Sequence, residues 1–162
     1  MVMSNLYIPV CGFFCAVLLL ISFFTKKRVK NNETTLYSGM LITSFIDSII
    51  MITIIFLAYK VDINSVTTFL KIMNKIDYTQ FVLWVWMLFL YIFHISFKDR
   101  ENIHEKYLKL LKITGIINIV LLIIMMILPV ELYSVDNIMY SYGLSANFLY
   151  FVCCIYLLLT II

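Results

Sequence analysis

Charged residues are scarce in this chain: Asp, Glu, Lys and Arg together make up 13% of its 162 residues, whereas 64% are hydrophobic. The mean hydropathy is +1.03. A water-soluble domain of this length has too little interior to bury so much apolar surface. The composition therefore excludes a soluble globular protein and predicts a membrane protein.

Proline and glycine are also rare, with two and four copies. No linker rich in Gly, Pro or Ser marks a domain boundary, and no low-complexity segment is present. We therefore expect residues 1–162 to form a single membrane domain. Its last apolar run reaches Ile162 without a basic stop, so we expect this domain to be the front part of a longer chain.

The residue patterns of catalysis are missing as well. His104 and Glu105 begin like the zinc-protease motif, but the fourth residue after His104 is Leu108 instead of a second His. There is no glycine-rich phosphate loop and no Ser nucleophile elbow. We predict that the chain has no catalytic residues, no cofactor and no metal site.

The cysteines lack the spacing of metal ligands, and all of them fall in apolar runs. They are Cys11, Cys15, Cys153 and Cys154. We interpret them as small buried hydrophobic residues, with a redox or disulfide role as the alternative.

Long hydrophobic runs are abundant. About 20 apolar residues are needed to cross a hydrocarbon core of about 30 Å. The five runs that meet this requirement cover about residues 6–24, 36–59, 78–97, 113–130 and 145–162. The sequence therefore predicts an all-α, polytopic transmembrane helix bundle with about five spans in a cell membrane.

Lys and Arg are distributed unevenly between the connections. Four follow the first run and five follow the third, whereas only Lys60, Lys71 and Lys75 lie elsewhere. The positive-inside rule then places the N-terminus outside and the C-terminus in the cytoplasm. Cytoplasmic-loop Lys and Arg account for most of the basic residues, so the net charge of +3 gives no reason to expect nucleic-acid binding.

Asp47 is the most unusual residue, because it lies twelve residues into the 24-residue second run. An ionised carboxylate there costs about 2.5 to 3.5 kcal/mol on insertion scales. Thr43 and Ser44 share its stripe of the helix, and Asn118 is the best cross-helix partner. Either these side chains hold helices together, or they line a polar cavity that binds a proton, cation or ligand.

Two further features have alternative interpretations. Val66, Phe69, Leu70 and Met73 recur at helical spacing between the second and third runs. They predict either a short amphipathic helix on the outer interface or a packing segment. His94 in the third run reaches the interface, bonds a neighbouring backbone, or senses protons.

The segment "MYSYGLSANFLYFV" follows the pattern Y-[ST]-Y-G-x-[SA]-x-N-F-x-Y. Its matching residues are Tyr140, Ser141, Tyr142, Gly143, Ser145, Asn147, Phe148 and Tyr150. This segment resembles the N-terminal membrane module of Firmicutes sensor histidine kinases. Similar segments of that family correspond to "FFTKKRVKNNETTLYSGMLITSFI", "KIDYTQFVLWVWMLFLYIF" and "ILPVELYS". Leu144 stands where the family carries Pro, which puts the local turn in doubt.

The resemblance implies a function that the residues alone do not. In that family the membrane module continues through about two more helices into a coiled-coil linker and a kinase core with ATP and phosphoacceptor sites. The resemblance also implies that the protein forms a homodimer and that a cytoplasmic output domain follows in the same longer chain. We therefore expect the signal-input module of a bacterial two-component sensor. The alternatives are a small transporter or exporter subunit, and an input module for a cyclic-dinucleotide enzyme.

Overall fold

The computed structural model describes residues 2–27, 31–60, 63–97, 103–135 and 138–161. These contain five α-helices and one β-hairpin. In chain order they are α1 (Val2–Phe24), α2 (Asn32–Lys60), α3 (Ile63–Ser96), α4 (Ile103–Ile127), β1 (Glu131–Val135), β2 (Ile138–Tyr142) and α5 (Leu144–Ile161).

All five helices are long and apolar enough to cross a membrane. The qualifying segments are Tyr7–Phe24, Asn32–Leu57, Thr68–Ser96, Glu105–Ile127 and Leu144–Ile161. Large apolar side chains cover their outward faces: Ile8 is 80% exposed and Ile161 is 81% exposed. Such a surface suits lipid and not water. The predicted all-α polytopic bundle is confirmed.

The start of α2 is fixed by its own side chains. Asn31 precedes the helix, and its Oδ1 accepts a hydrogen bond of 2.8 Å from the backbone N–H of Thr34. The Thr34 hydroxyl oxygen accepts one of 3.1 Å from the Asn31 N–H in return. This reciprocal cap satisfies donors that a helix start leaves free. As a result, α2 begins four residues before the predicted 36.

The third helix departs most from the sequence expectation, because α3 begins at Ile63 and not at Tyr78. The segment predicted as either an interfacial helix or a packing segment is the first part of α3, so the packing alternative describes it. Leu70 is 2% exposed and Phe69 is 47% exposed, so the segment is amphipathic and packs against the bundle. The side chain of Val66 lies outside the described residues. The fourth helix also begins earlier than predicted, at Ile103 instead of 113.

The longest helix, α3, occupies the centre of the bundle. It packs against α2 on one side and against α4 and α5 on the other, while α1 packs against α2. Val82, Val85 and Leu90 of α3 are among the core residues, together with Met125 of α4 and Val152 of α5. Lys75 of α3 donates a 2.6 Å hydrogen bond to the carbonyl of Met126, in the last turn of α4. A displacement of α3 would therefore disturb its contacts with α2, α4 and α5.

The hairpin between α4 and α5 was not predicted. Strands β1 and β2 pair in antiparallel register, with Glu131 opposite Tyr142 and Leu132 opposite Ser141. The helix before it stops near Pro129, which cannot continue the hydrogen-bond ladder of a helix. The Tyr133 and Tyr142 rings meet edge to face, with centroids 5.1 Å apart. Aromatic and β-branched residues favour such strands.

Candidate intramembrane polar site

Asp47 lies at the middle of α2, as residue 16 of the 29 between Asn32 and Lys60. Thr43 and Ser44 lie one turn before it. Their hydroxyls donate hydrogen bonds of 2.9 Å to the carbonyl of Met40. The hydroxyl protons are thereby used within the helix, and the oxygens remain free to accept.

The partner of Asp47 is Asp77 of α3. The two side chains are hydrogen-bond partners. A hydrogen bond between two carboxyl groups requires a proton on one of them. The Oδ1 atom of Asp77 is buried, and no N–H or O–H donor among the described residues reaches it. A carboxyl group that is buried in this way needs either a proton of its own or a donor beside it.

The connection between α2 and α3 explains this pairing. α2 ends at Lys60 and α3 starts at Ile63, so the two helices form a tight antiparallel pair. Asp47 lies 13 residues before the end of α2, and Asp77 lies 14 residues after the start of α3. Residues equally distant from a tight turn come side by side. Sequence reasoning missed Asp77 because it placed the start of this helix at Tyr78.

A cleft of about 220 Å³ opens beside the carboxyl pair. Its lining residues are Thr43, Ser44, Asp47, Gln80, Phe81 and Trp84. The Nε2 atom of Gln80 donates a 3.0 Å hydrogen bond to the backbone carbonyl of Thr43, which joins the two helices across the cleft. Three of the four residues proposed from the sequence as an intramembrane polar site therefore line one cavity.

Asn118, the fourth residue of that prediction, lies elsewhere. It is 2% exposed, within α4. Its Oδ1 accepts a 3.2 Å hydrogen bond from the hydroxyl of Tyr156 on α5. The expected pairing of Asn118 with Asp47 is therefore wrong, because α3 lies between α2 and the helices α4 and α5.

The segment from Tyr140 to Tyr150 forms a corner between the hairpin and α5. The hydroxyls of Ser141 and Tyr78 are 2.5 Å apart and share a hydrogen bond, which ties β2 to α3. Tyr142 donates to the Glu131 carboxylate, and this hydrogen bond and the negative charge raise the pKa of Tyr142. The side chain of Tyr140 lies outside the described residues.

The second half of the motif starts α5. Gly143 has a φ of 112°, and the backbone N–H of Ser145 donates a 3.3 Å bond to the carbonyl of Pro129. Ser145 is fully buried, and its hydroxyl donates to the sulfur of Met125 at 3.2 Å. Phe148 packs on the core. Asn147 and Tyr150 are exposed. Most residues of the motif therefore stabilise the corner at which the chain re-enters the bundle.

His94 lies at the other end of α3. Its Nδ1 atom is 3.6 Å from Oε1 of Glu33, in the first turn of α2. Its ring meets that of Tyr107 of α4 edge to face, at 5.0 Å. The imidazole, in the last turn of α3, therefore contacts side chains of two neighbouring helices.

Among the described residues, no group of three or more His, Cys, Asp or Glu side chains could hold a metal ion. The four cysteines are free; Cys11, Cys15 and Cys154 are exposed on the outer faces of their helices, and Cys153 is partly buried. The interpretation of the cysteines as buried residues is therefore wrong for three of them. Their apolar surroundings on a lipid-facing surface explain their positions without a redox role.

No protein-family model matches the chain, and no curated protein and no solved structure matches it either.

Proposed function

We propose that this chain is the membrane signal-input module of a bacterial two-component sensor histidine kinase. In this proposal the module relays an outer or intramembrane stimulus to a cytoplasmic output domain encoded after Ile162. The observation that carries the proposal is the polar cleft with its carboxyl pair, set at mid-span between α2 and α3. Ionisable groups at that depth are costly, and they mark functional sites by default. The motif from Tyr140 to Tyr150 supplies the kinase part of the proposal.

The bundle offers a route from the cleft to the output. Gln80, Phe81 and Trp84 line the cleft from α3, and the same helix packs against α5, which leads to the C-terminus. A stimulus that favours one packing of α2 against α3 would shift α3 against α5. This requires a different affinity of the stimulus for the two packings. In the proposed orientation the N-terminus and the hairpin lie outside, and the protein forms a homodimer.

The experiment that tests the proposal is to read the coding sequence beyond Ile162. We expect an open reading frame that continues through about two helices into a His-Glu-x-Arg-Thr-Pro box and an ATP-binding core. A cyclic-dinucleotide catalytic domain in that place would instead support an input module of the other type. A stop codon directly after Ile162 would contradict both sensor proposals.

A functional measurement on the complete protein follows from the same proposal. We expect Asp47→Asn to change the rate of autophosphorylation of the full-length kinase in vesicles by about tenfold, because it removes the charge of the cleft. Glu33→Gln is the matched control, since it removes a carboxylate from the same helix outside the cleft. Equal rates for the wild type and Asp47→Asn would contradict a signalling role for the cleft.

A small transporter or exporter subunit is the second candidate, because a carboxyl pair that shares a proton is also what proton-coupled transport uses. Release of protons from vesicles on addition of a solute, lost in Asp77→Asn, would support this candidate.

A further inference from the structure

The carboxyl pair has no basic partner. Among the described residues, neither Asp47 nor Asp77 forms an ion pair. One shared proton leaves the pair with one negative charge. A charge at the centre of a membrane span needs a counter-charge or exposure to water. The negative charge of the pair is therefore not balanced by a basic side chain among the described residues.

The other polar side chains of the cleft offer mainly acceptors, besides the second N–H of the Gln80 amide. The hydroxyls of Thr43 and Ser44 donate to the Met40 carbonyl, so that their oxygens can only accept. The amide nitrogen of Gln80 donates to the Thr43 carbonyl, which fixes the orientation of its amide and leaves Oε1 as an acceptor. A ligand with N–H donors and a positive charge fits this arrangement of acceptors.

Aromatic rings form the remaining wall. Phe81 and Trp84 of α3 stack with centroids 6.3 Å apart and an interplanar angle of 26°. Phe81 is 45% exposed, so this wall lies at the lipid-facing opening of the cleft. Trp is the strongest aromatic partner for a cation. An inorganic cation gains little from such a wall, whereas an organic cation also buries apolar surface there.

We propose that the cleft between α2 and α3 binds a small organic ammonium ion. The ammonium group donates hydrogen bonds to Asp47, with the oxygens of Gln80, Thr43 and Ser44 as further acceptors, and its apolar part lies against Trp84 and Phe81. The volume of about 220 Å³ is smaller than the roughly 300 to 1,000 Å³ of typical drug-sized pockets, so the ligand is small.

Asp77 positions Asp47 in this arrangement. It carries the shared proton and donates it in a hydrogen bond to the Asp47 carboxylate, which holds that carboxylate toward the cleft. A proton on Asp77 would also account for its buried Oδ1 atom, which has no hydrogen-bond donor among the described residues. The bound cation then neutralises the one remaining charge, and no further proton has to move.

The chain contains two tryptophans, which allows a direct binding measurement. Trp86 donates a 3.1 Å hydrogen bond to Thr114 and does not line the cleft. Trp86→Phe therefore leaves Trp84 as the only tryptophan, in the wall of the cleft. We would titrate this variant in lipid nanodiscs with benzylammonium chloride at constant ionic strength, and with benzyl alcohol as the neutral counterpart.

We expect a saturable change in Trp84 fluorescence with benzylammonium and none at equal concentrations of benzyl alcohol. Asp47→Asn should weaken benzylammonium binding about tenfold or more, because it removes a charge-assisted hydrogen bond. Glu33→Gln, which changes the charge of the same helix outside the cleft, should leave the affinity within about twofold.

Equal binding of the alcohol, unchanged affinity in Asp47→Asn, or no saturable signal would overturn the proposal. Circular dichroism establishes that each variant is folded. If Asp47→Asn does not fold, Trp84→Leu followed by calorimetry takes its place, with the same expected loss of affinity. The inference deepens the proposed function by naming the class of stimulus, and it depends on that function only for the signalling consequence. Benzylammonium binding can fail although a kinase is encoded downstream, and it can succeed although no kinase is encoded there. The two proposals can therefore fail separately.

Discussion

Gly143 is the residue where backbone geometry alone restricts the sequence. Its φ of 112° lies in the region that side chains disfavour. A Cβ atom built there would lie 3.3 Å from the carbonyl oxygen of Pro129, which itself accepts the N–H of Ser145. The chain leaves the hairpin and enters α5 at this point, so the corner depends on a residue without a side chain.

We expect Gly143→Ala to lower the free energy of unfolding by about 1 to 3 kcal/mol, the usual cost of a strained backbone conformation. The measurement is an unfolding titration of the purified protein in mixed micelles, followed by circular dichroism.

Gly115→Ala is the matched control. Gly115 lies within α4, where a Cβ atom would meet the Trp86 ring at an ordinary 3.7 Å. Alanine is a better helix former than glycine by about 0.5 to 1 kcal/mol, so this variant should be no less stable than the wild type. Equal losses in both variants would contradict the assignment of the strain to Gly143.

At the scale of elements, a buried hydrogen bond between Tyr156 and Asn118 joins α5 to α4 in a largely apolar interface. Tyr156 donates to the buried Asn118, and the Tyr156 ring also packs against Phe89 of α3 with centroids 5.9 Å apart. Hydrogen bonds between membrane helices contribute about 0.6 kcal/mol on average, because the separated helices also find partners.

A double-mutant cycle measures this contact. We expect Tyr156→Phe and Asn118→Ala to show a coupling energy of about 0.6 kcal/mol in the same unfolding titration, since Tyr156→Phe keeps the ring packing and removes only the hydroxyl. Thr53→Val combined with Asn118→Ala is the control: Thr53 bonds only within α2, to the Ile49 carbonyl. Additivity of the Tyr156 and Asn118 changes would contradict the hydrogen bond.

The elements also define what could be predicted from the sequence. Each apolar run gave a helix, because length and hydropathy decide membrane spans. The start of α3 could not be found in this way, since Lys71, Lys75 and Asp77 interrupt the apolar run although the helix continues through them. The hairpin was missed because its five-residue strands alternate too briefly to be distinguished from an interfacial loop.

The residues of the candidate site likewise divide into those that could be predicted from the sequence and those that could not. Asp47 could be recognised from the sequence, because one carboxylate in an apolar run is conspicuous, and Thr43 and Ser44 follow from helical periodicity. Asp77 could not be recognised as part of the site because it was assigned to a loop. Gln80 lay inside the predicted third run, but nothing in the sequence linked it to Asp47. Had the tight connection between α2 and α3 been known, counting from the turn would have paired Asp77 with Asp47. Asn118 was chosen as the best available polar partner on the condition of equal depth, and neither criterion tells which helices are neighbours.

At the scale of the whole molecule, the open question is which end of the bundle faces the cytoplasm. Lys26 and Lys27, which follow α1, lie at one end of the bundle, and the hairpin before α5 lies at the other, since α1 to α4 alternate in direction. The positive-inside rule places the basic end in the cytoplasm.

Cysteine labelling tests this orientation. In a background in which Cys11, Cys15, Cys153 and Cys154 are replaced by Ala, we expect Tyr142→Cys to react with a membrane-impermeant maleimide on intact cells. Lys27→Cys should react only after the cells are permeabilised. Both positions are exposed, so the reversed pattern would contradict the proposed orientation.

The carboxyl pair also has a consequence for how the protein is made. Asp47 finds a hydrogen-bond partner only when α3 is beside α2, and alone at mid-membrane it would cost about 2.5 to 3.5 kcal/mol. Only two residues separate the end of α2 from the start of α3, so the two helices are synthesised in immediate succession. Biogenesis therefore favours insertion of α2 and α3 as one helical hairpin, with the site assembled as the chain enters the bilayer.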